Sequence, residues 1–399
     1  MNNQSRIDVA YFDFAKAFDS VNHDLILQKL KQKFGVYGLL LQFIKNYLQD
    51  RQQQVVIAGS ISTSLPVHSG VPQGSILGPL LFILFIDDIS DTVSEGTELA
   101  LYADDTKIWR EILCDNDQKI LQKDIDSLYK WSVDNMMQFH SDKCKVLRIT
   151  NKCIIYDLPF YEFWYSLNGT ILDYETSEKD LGVYIHSKLS WSAHCSSLTS
   201  KGNNQLGLVK RTCYFINNSN QRRALYLTMV RSIFEHCCQV WAPQDIKSLK
   251  DFELLQRRAI KWILKEPNVS YSDEKFLQKQ RVLDILPMKF KFLFSDLILF
   301  HKIVYNNVDI KLPNYVTKVK PQDIKCNTRS NIFISNGRDK LKFRCTLLPK
   351  INAFKNSYFV RTVHSWNELP HTIREINSVE KFSLALKDHL WLILGFEPD

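Results

Sequence analysis

No stretch of this 399-residue sequence is apolar for long enough to cross a bilayer. The longest such run, "GPLLFILFI" at residues 78–86, falls far short of the roughly 20 residues a spanning helix needs, and it ends on Asp87 and Asp88. The opening "MNNQSRIDVA" lacks the apolar core of a secretory signal. These absences argue against a secreted or membrane-embedded protein and for an intracellular one, nuclear or cytoplasmic. The nine cysteines are odd in number and show no C-x-x-C spacing, which points to reduced thiols rather than a disulfide framework. His236-Cys237-Cys238 has no second ligand pair at a spacing that zinc could use, so it reads as thiols on a helix. Internal repeats and low-complexity tracts are also lacking. What remains is a globular balance, 45% hydrophobic and 24% charged, in a chain long enough for two or three domains.

The charge is unevenly spread. Residues 1–200 carry 18 Lys and Arg against 25 Asp and Glu, whereas residues 201–399 carry 33 against 18. An acidic half joined to a basic half suits a metal-dependent catalytic part and a part that holds a polyanion. Along the first half, strand and helix signals alternate. "IDVAYFDF" is a buried-strand pattern ending at Asp13, and "AKAFDSVNHDLILQKLKQKF" is helical, with Val21, Leu25, Leu27 and Leu30 on one side. "QQQVVIA" and "STSLPVHSG" read as short strands around Gly59. "GVPQGSILGPLLFILFIDDI" reads as a Gly/Pro loop capped by Ser75 and leading into a helix apolar nearly all round, which should therefore be buried. Asn168-Gly169 marks a two-residue hairpin turn. Beyond about residue 196 helices dominate, including "LKDFELLQRRAIKWILK", with Arg258, Lys261 and Lys265 on a face away from its apolar stripe. Soft boundaries fall near residues 195 and 270.

"ALYADDTKIW" places Asp104 and Asp105 side by side between two strand-like runs. Carboxylates about 4 Å apart repel by roughly 4 kcal/mol at an effective dielectric near 20. An ordinary turn tolerates such a pair, since aspartate favours turns. With a strand ending in Asp13 beside that hairpin, three carboxylates would meet at one sheet edge. Clustered hard oxygen ligands suit Mg²⁺, and two such ions can assist in-line displacement at phosphorus.

Several motifs, in order, resemble the reverse transcriptases of non-LTR retrotransposons (LINE elements), especially the jockey-like branch. They are "FDFAKAFDSVNH", "SGVPQGSILGPLLFILFIDDI", "LYADDTKIW", "MQFHSDKCKVLRI" and the primer-grip-like "LNGTILDYETSEKDLGVYI". "LVKRTCYF", "LYLTMVRSIFEHCCQVWAP" and "LLQRRAIKWIL" resemble the thumb, and "SWNELPHTIRE" the C-terminal tail. The resemblance implies an α+β fold: a right-hand polymerase palm, with a small antiparallel sheet and packed helices, then a helical thumb and a mainly helical C-terminal region. The corresponding spans are 1–195 with the primer-grip hairpin, 196–270, and 271–399.

The implied activity is RNA-directed DNA synthesis, with an RNA template, a DNA primer and deoxynucleotides as partners and Mg²⁺, or Mn²⁺ in its place, as cofactor. Asp13, Asp104 and Asp105 would be the catalytic, metal-binding carboxylates. Phe18 would lie under the incoming sugar, and Gln73 and Gly74 would border the nucleotide and template. Lys143 would donate a proton to pyrophosphate, with Lys145 equally near in sequence. Arg258, Lys261 and Lys265 would hold nucleic acid. The family places a fingers subdomain upstream, and only twelve residues precede Asp13. The expectation is therefore a truncated copy with weak or no activity and with one side of the Ile7–Phe12 strand partly uncovered. Two other readings stay open at this stage: a non-catalytic nucleic-acid-binding remnant, and a different palm enzyme such as a nucleotide cyclase. The latter has no reason to carry the "VPQGS" loop or the basic half.

Overall fold

The computed structural model describes residues 6–150, 163–266, 270, 272–319, 341–349 and 351–397. It divides into two compact units. One holds the chain to Glu178 together with residues 186–188; the other holds residues 179–185 and everything from Leu189 onward. The expected boundary near 270 falls among residues largely outside those described.

The first unit runs β1 (Arg6–Phe12), α1 (Ala17–Ser20), α2 (His23–Gln32), α3 (Gly38–Leu48), β2 (Gln52–Gln53), β3 (Val56–Ile57), β4 (Ser60–Ile61), β5 (Leu65–Pro66) and α4 (Leu77–Ile86). It continues with β6 (Thr97–Tyr102), β7 (Asp105–Ile112), α5 (Asp115–Asp134), β8 (Lys145–Thr150), β9 (Ser166–Leu167), β10 (Thr170–Ile171) and β11 (Asp173–Glu175). Five strands form one sheet in the order β11-β8-β1-β7-β6. β1 is its centre, antiparallel to both β7 and β8, while β11 joins β8 in parallel.

A central strand is buried on both faces, and the aromatic and aliphatic residues of β1 suit that position. Asp8, Ala10 and Phe12 on one face are buried, whereas on the other Val9 is buried and Ile7 and Tyr11 only partly so, which leaves that side partly uncovered as expected from the sequence. The neighbouring strands β7 and β8 flank β1, and Ala10 and Phe12 belong to a core that includes Ile26, Phe82, Phe85 and Leu121. The fully buried charge in β1, Asp8, is neutralised in place: Arg6 of the same strand lies at 2.8 Å, Arg148 at 3.3 Å, and the Tyr165 hydroxyl donates to it at 3.0 Å. A second buried link joins the helices. The Lys29 ammonium, its pKa lowered by burial, donates to Phe85 O and to Asp88, each at 2.7 Å. Asp88 also accepts the Trp131 indole N–H at 3.0 Å.

The apolar helix α4 departs from expectation. Leu81, Phe82, Phe85 and Ile86 are buried, but Leu80 and Ile83 are more than half exposed, so only one side is covered. Ser75 is not the residue that caps it, since Ile76 stands at that position, but the Ser75 Oγ accepts from Gly78 N in the first turn at 3.0 Å. The Asn168-Gly169 turn joins β9 to β10 with φ of 49° and 77°, the left-handed pair that a tight hairpin needs.

The hairpin β12 (Ser177–Asp180) and β13 (Val183–His186) precedes the helices of the second unit, α6 (Ser192–Thr212), α7 (Ser219–Leu225), α8 (Cys238–Trp241), α9 (Ile246–Ile263), α10 (Asp273–Val282) and α11 (Met288–Val304). Then come β14 (Val316–Lys318), β15 (Phe343–Cys345), α12 (Asn352–Lys355), α13 (Tyr358–Glu368), α14 (His371–Arg374) and α15 (Val379–Ile393). Gly202 lets α6 pack closely on its neighbours: a Cβ there would lie 2.3 Å from Phe234 and 2.9 Å from Leu255. A further core gathers Phe300, Trp366, Phe382 and Trp391.

Candidate active site

β1 ends at Phe12, opposite Thr106 on β7, so Asp13 leaves the strand end beside the start of β7 at Asp105. Asp104 is the next residue round the β6–β7 turn, where Ala103 takes φ 53°. On the other flank of β1, the turn before β8 places Lys143 against Asp13, with Nζ to Oδ2 at 2.7 Å. Asp13 is further tied there through its carbonyl, which accepts from His140 N at 2.7 Å.

Lys143 is the better placed of the two candidate lysines, because Lys145 pairs with Glu175 at 3.0 Å. The Lys143 pKa is raised, first by its hydrogen bond to Asp13 and then by the Asp13 charge, with Asp104 adding in the same direction. Its ammonium is thus fully charged at neutral pH, and its side chain is 60% exposed. The neighbouring Cys144 thiol is buried and pushed up to about 11, which removes it as a nucleophile.

The Gly/Pro loop packs against the turn that carries Phe18. Val71 N donates to Phe18 O at 2.8 Å, Gly70 N to Val21 O at 2.8 Å, and Ser69 Oγ to Asp19 O at 2.8 Å. Gly70 has φ +90°, and a Cβ on it would lie 2.8 Å from Asp19 Cα, so only glycine allows this approach. Gln73 donates from Nε2 to Asp19 Oδ1 at 2.9 Å. Gly74 is exposed at φ +77°, and a Cβ on it would meet nothing within 4 Å. The Phe18 ring stacks on Phe82 at 4.3 Å and 23°, leaving it half-buried. Asp19 and Gly70 are the residues of this loop contact that sequence reasoning misses. The glycine directly before "VPQG" and the acid directly after Phe18 are the signals that point to them.

The residues fit a hard divalent cation in the chemistry of the donor set, which is carboxylate oxygen at adjoining strand ends. Among the described residues no three His, Cys, Asp or Glu side chains form a ready-made metal-holding group. Magnesium does not require one, since it commonly uses one or two protein carboxylates and takes its other ligands from water and substrate phosphates. Arg258, Lys261 and Lys265 belong to the other unit, on and just after α9.

Residues 2–192 match the family model for reverse transcriptase (RNA-dependent DNA polymerase). That stretch, just under half of the chain, reads as a reverse transcriptase domain. Its relatives carry the jockey-like, non-LTR character read from the motifs. It is 27% identical over 271 residues to a probable RNA-directed DNA polymerase from transposon BS of Drosophila melanogaster, covering 64% of this chain and 29% of that relative. It is 30% identical over 207 residues to the RNA-directed DNA polymerase from mobile element jockey of the same species, covering 50% and 22%. The chain therefore spans less than a third of the length of these relatives. Among solved structures, telomerase from Candida albicans in complex with a fragment of telomeric RNA aligns over 72% of this chain and 42% of its own, at 11% identity and a TM-score of 0.36. No described helix is long and apolar enough to cross a membrane.

Proposed function

We propose that the chain carries out RNA-directed DNA synthesis, adding deoxynucleotides to a primer 3′-OH on an RNA template inside the cell. The observation that supports this reading is the Lys143–Asp13 pair at the end of β1, with Asp104 near enough to act on the Lys143 charge, in a stretch that matches the reverse transcriptase model. Asp13 and Asp104 would be the main ligands of Mg²⁺, with Asp105 beside them. When bound, Mg²⁺ supplies positive charge to the attacking 3′-oxygen and to the departing pyrophosphate. Lys143 would leave Asp13 as substrate arrives and give its proton to the leaving pyrophosphate; the rise in its pKa comes from Asp13, so parting from that carboxylate would make the proton easier to give. Phe18, held against Phe82, would crowd a ribose 2′-OH and so select deoxynucleotides. Gln73, oriented by Asp19, and Gly74 would line the nucleotide and template. The first unit would act as palm and the helices from residue 196 to 270 as thumb, with Arg258, Lys261 and Lys265 on phosphates and residues 271–399 as the basic C-terminal region.

The test is primer extension by the purified chain on an RNA template with Mg²⁺. Slow synthesis with deoxynucleotides is expected, lost in Asp104→Asn and opened to ribonucleotides in Phe18→Ala. No extension by the unaltered chain, or equal extension by Asp104→Asn, would count against the reading.

A further inference from the structure

Between α6 and α7 the segment 213–218 presents two large rings to solvent: Tyr214 is 75% exposed and Phe215 67%, in edge contact at 5.8 Å. Exposed neighbouring aromatics are costly unless something covers them in use. The segment is firmly anchored. Buried Arg222 donates to Ile216 O at 2.6 Å and to Trp262 O at 2.5 Å, and lies over the Trp262 ring at 5.0 Å. Asn217 accepts from Lys265 at 2.5 Å, fixing the segment to the end of α9.

Some cations of this unit are held by carboxylates. Arg257 pairs with Asp273, Lys291 with Glu235 and Arg361 with Asp296. By contrast Arg258 and Lys265 donate to the neutral amides Asn203 and Asn217, and Lys210 to Arg258 O. Among the described residues no carboxylate pairs with Lys210, Arg211, Arg258 or Lys265. Lys210 and Arg211 in the last turn of α6 also offset the helix dipole, but that does not account for the rings.

We propose that Tyr214 and Phe215 are a stacking platform for bases of an unpaired nucleic-acid strand whose phosphates run over Lys210, Arg211, Arg258 and Lys265. Uncompensated positive charge around fixed exposed aromatics matches a single strand, which offers π-faces and phosphates together; a duplex keeps its bases stacked inside. The inference rests on the proposed nucleic-acid-binding role of this unit and adds the class of strand it takes.

The experiment is fluorescence anisotropy with the full chain and labelled oligo-uridine, oligo-thymidine and a blunt RNA–DNA duplex, each about 16 nucleotides long. The double variant Tyr214→Ala/Phe215→Ala should bind both single strands about tenfold or more weakly and the duplex within about twofold of the parent. Its salt dependence should persist, and Lys210→Ala/Lys265→Ala should flatten it. Tyr214→Trp should keep single-strand affinity, with its indole fluorescence quenched by the strand, a readout that does not depend on how the alanine variant folds. Loss of less than about twofold on single strands, equal loss on the duplex, or an unquenched indole overturns the platform. Absence of any salt-dependent binding by the parent chain to all three probes overturns instead the nucleic-acid role on which it rests.

Discussion

At the scale of single residues, Lys143 pairs with Asp13 and, in the proposed mechanism, releases it as substrate arrives. Lys143→Ala removes the 2.7 Å partner of Asp13 and the proposed proton donor together. Primer extension is expected to fall about 100-fold or more, within the range for loss of a general acid, with oligonucleotide binding unchanged. Equal turnover would remove Lys143 from the chemistry. Two glycines of the same loop separate backbone strain from collision. At Gly74 a methyl meets nothing, so alanine bears only the positive φ, about 1 kcal/mol. At Gly70 it strikes the Asp19 backbone as well, and Gly70→Ala should destabilise by about 2 kcal/mol or more. Urea unfolding that ranks the two variants in the reverse order would mean that the loop is not pinned as described.

At the scale of elements, His194 on α6 makes the second unit sensitive to acid. Its ring is buried against Trp241, its Nδ1 accepts from Tyr184 N, and burial, reinforced by Lys201 and His236, pushes its pKa down to about 4. The unfolded chain takes up a proton near pH 6.5 that the folded one refuses. Stability from this group is therefore complete above about pH 6.5 and is lost as pH falls toward 4. Thermal melts of His194→Gln should show a shallower loss over that interval than the parent. The elements around the three candidate carboxylates are legible in sequence because they depend on local signals: a β-branched strand stopping at Asp13, and an Asp-Asp turn between apolar runs. The coverage of the helix after "VPQG" is not legible, because its composition is apolar all round while burial of each face depends on which elements lie beside it. The Asp8 cluster is hidden for a related reason. Its partners, Arg148 and Tyr165, lie more than a hundred residues away and meet it only through strand pairing and the packing that follows. The exposure of Tyr214 and Phe215 is likewise a property of the folded chain, since the same two rings in sequence suit a core equally well.

At the scale of the whole molecule, the acidic first half coincides with the unit that carries the carboxylates and the basic second half with the helical unit. Each unit has a hydrophobic core of its own. Calorimetry should therefore resolve two transitions, and only the one from the second unit should move with His194→Gln. A single transition moving as a whole would show that the cores melt together. In the proposed mechanism, Asp13 and the Asp104–Asp105 turn meet to hold the divalent ion of a reverse transcriptase. The most direct test is Mn²⁺ titration followed by electron paramagnetic resonance, since it needs neither primer nor template. Saturable Mn²⁺ binding is expected, displaced by Mg²⁺, abolished by Asp13→Asn and by Asp104→Asn, and strengthened when Lys143→Met frees the Asp13 carboxylate. Binding that is indifferent to all three substitutions would contradict that role for the carboxylates.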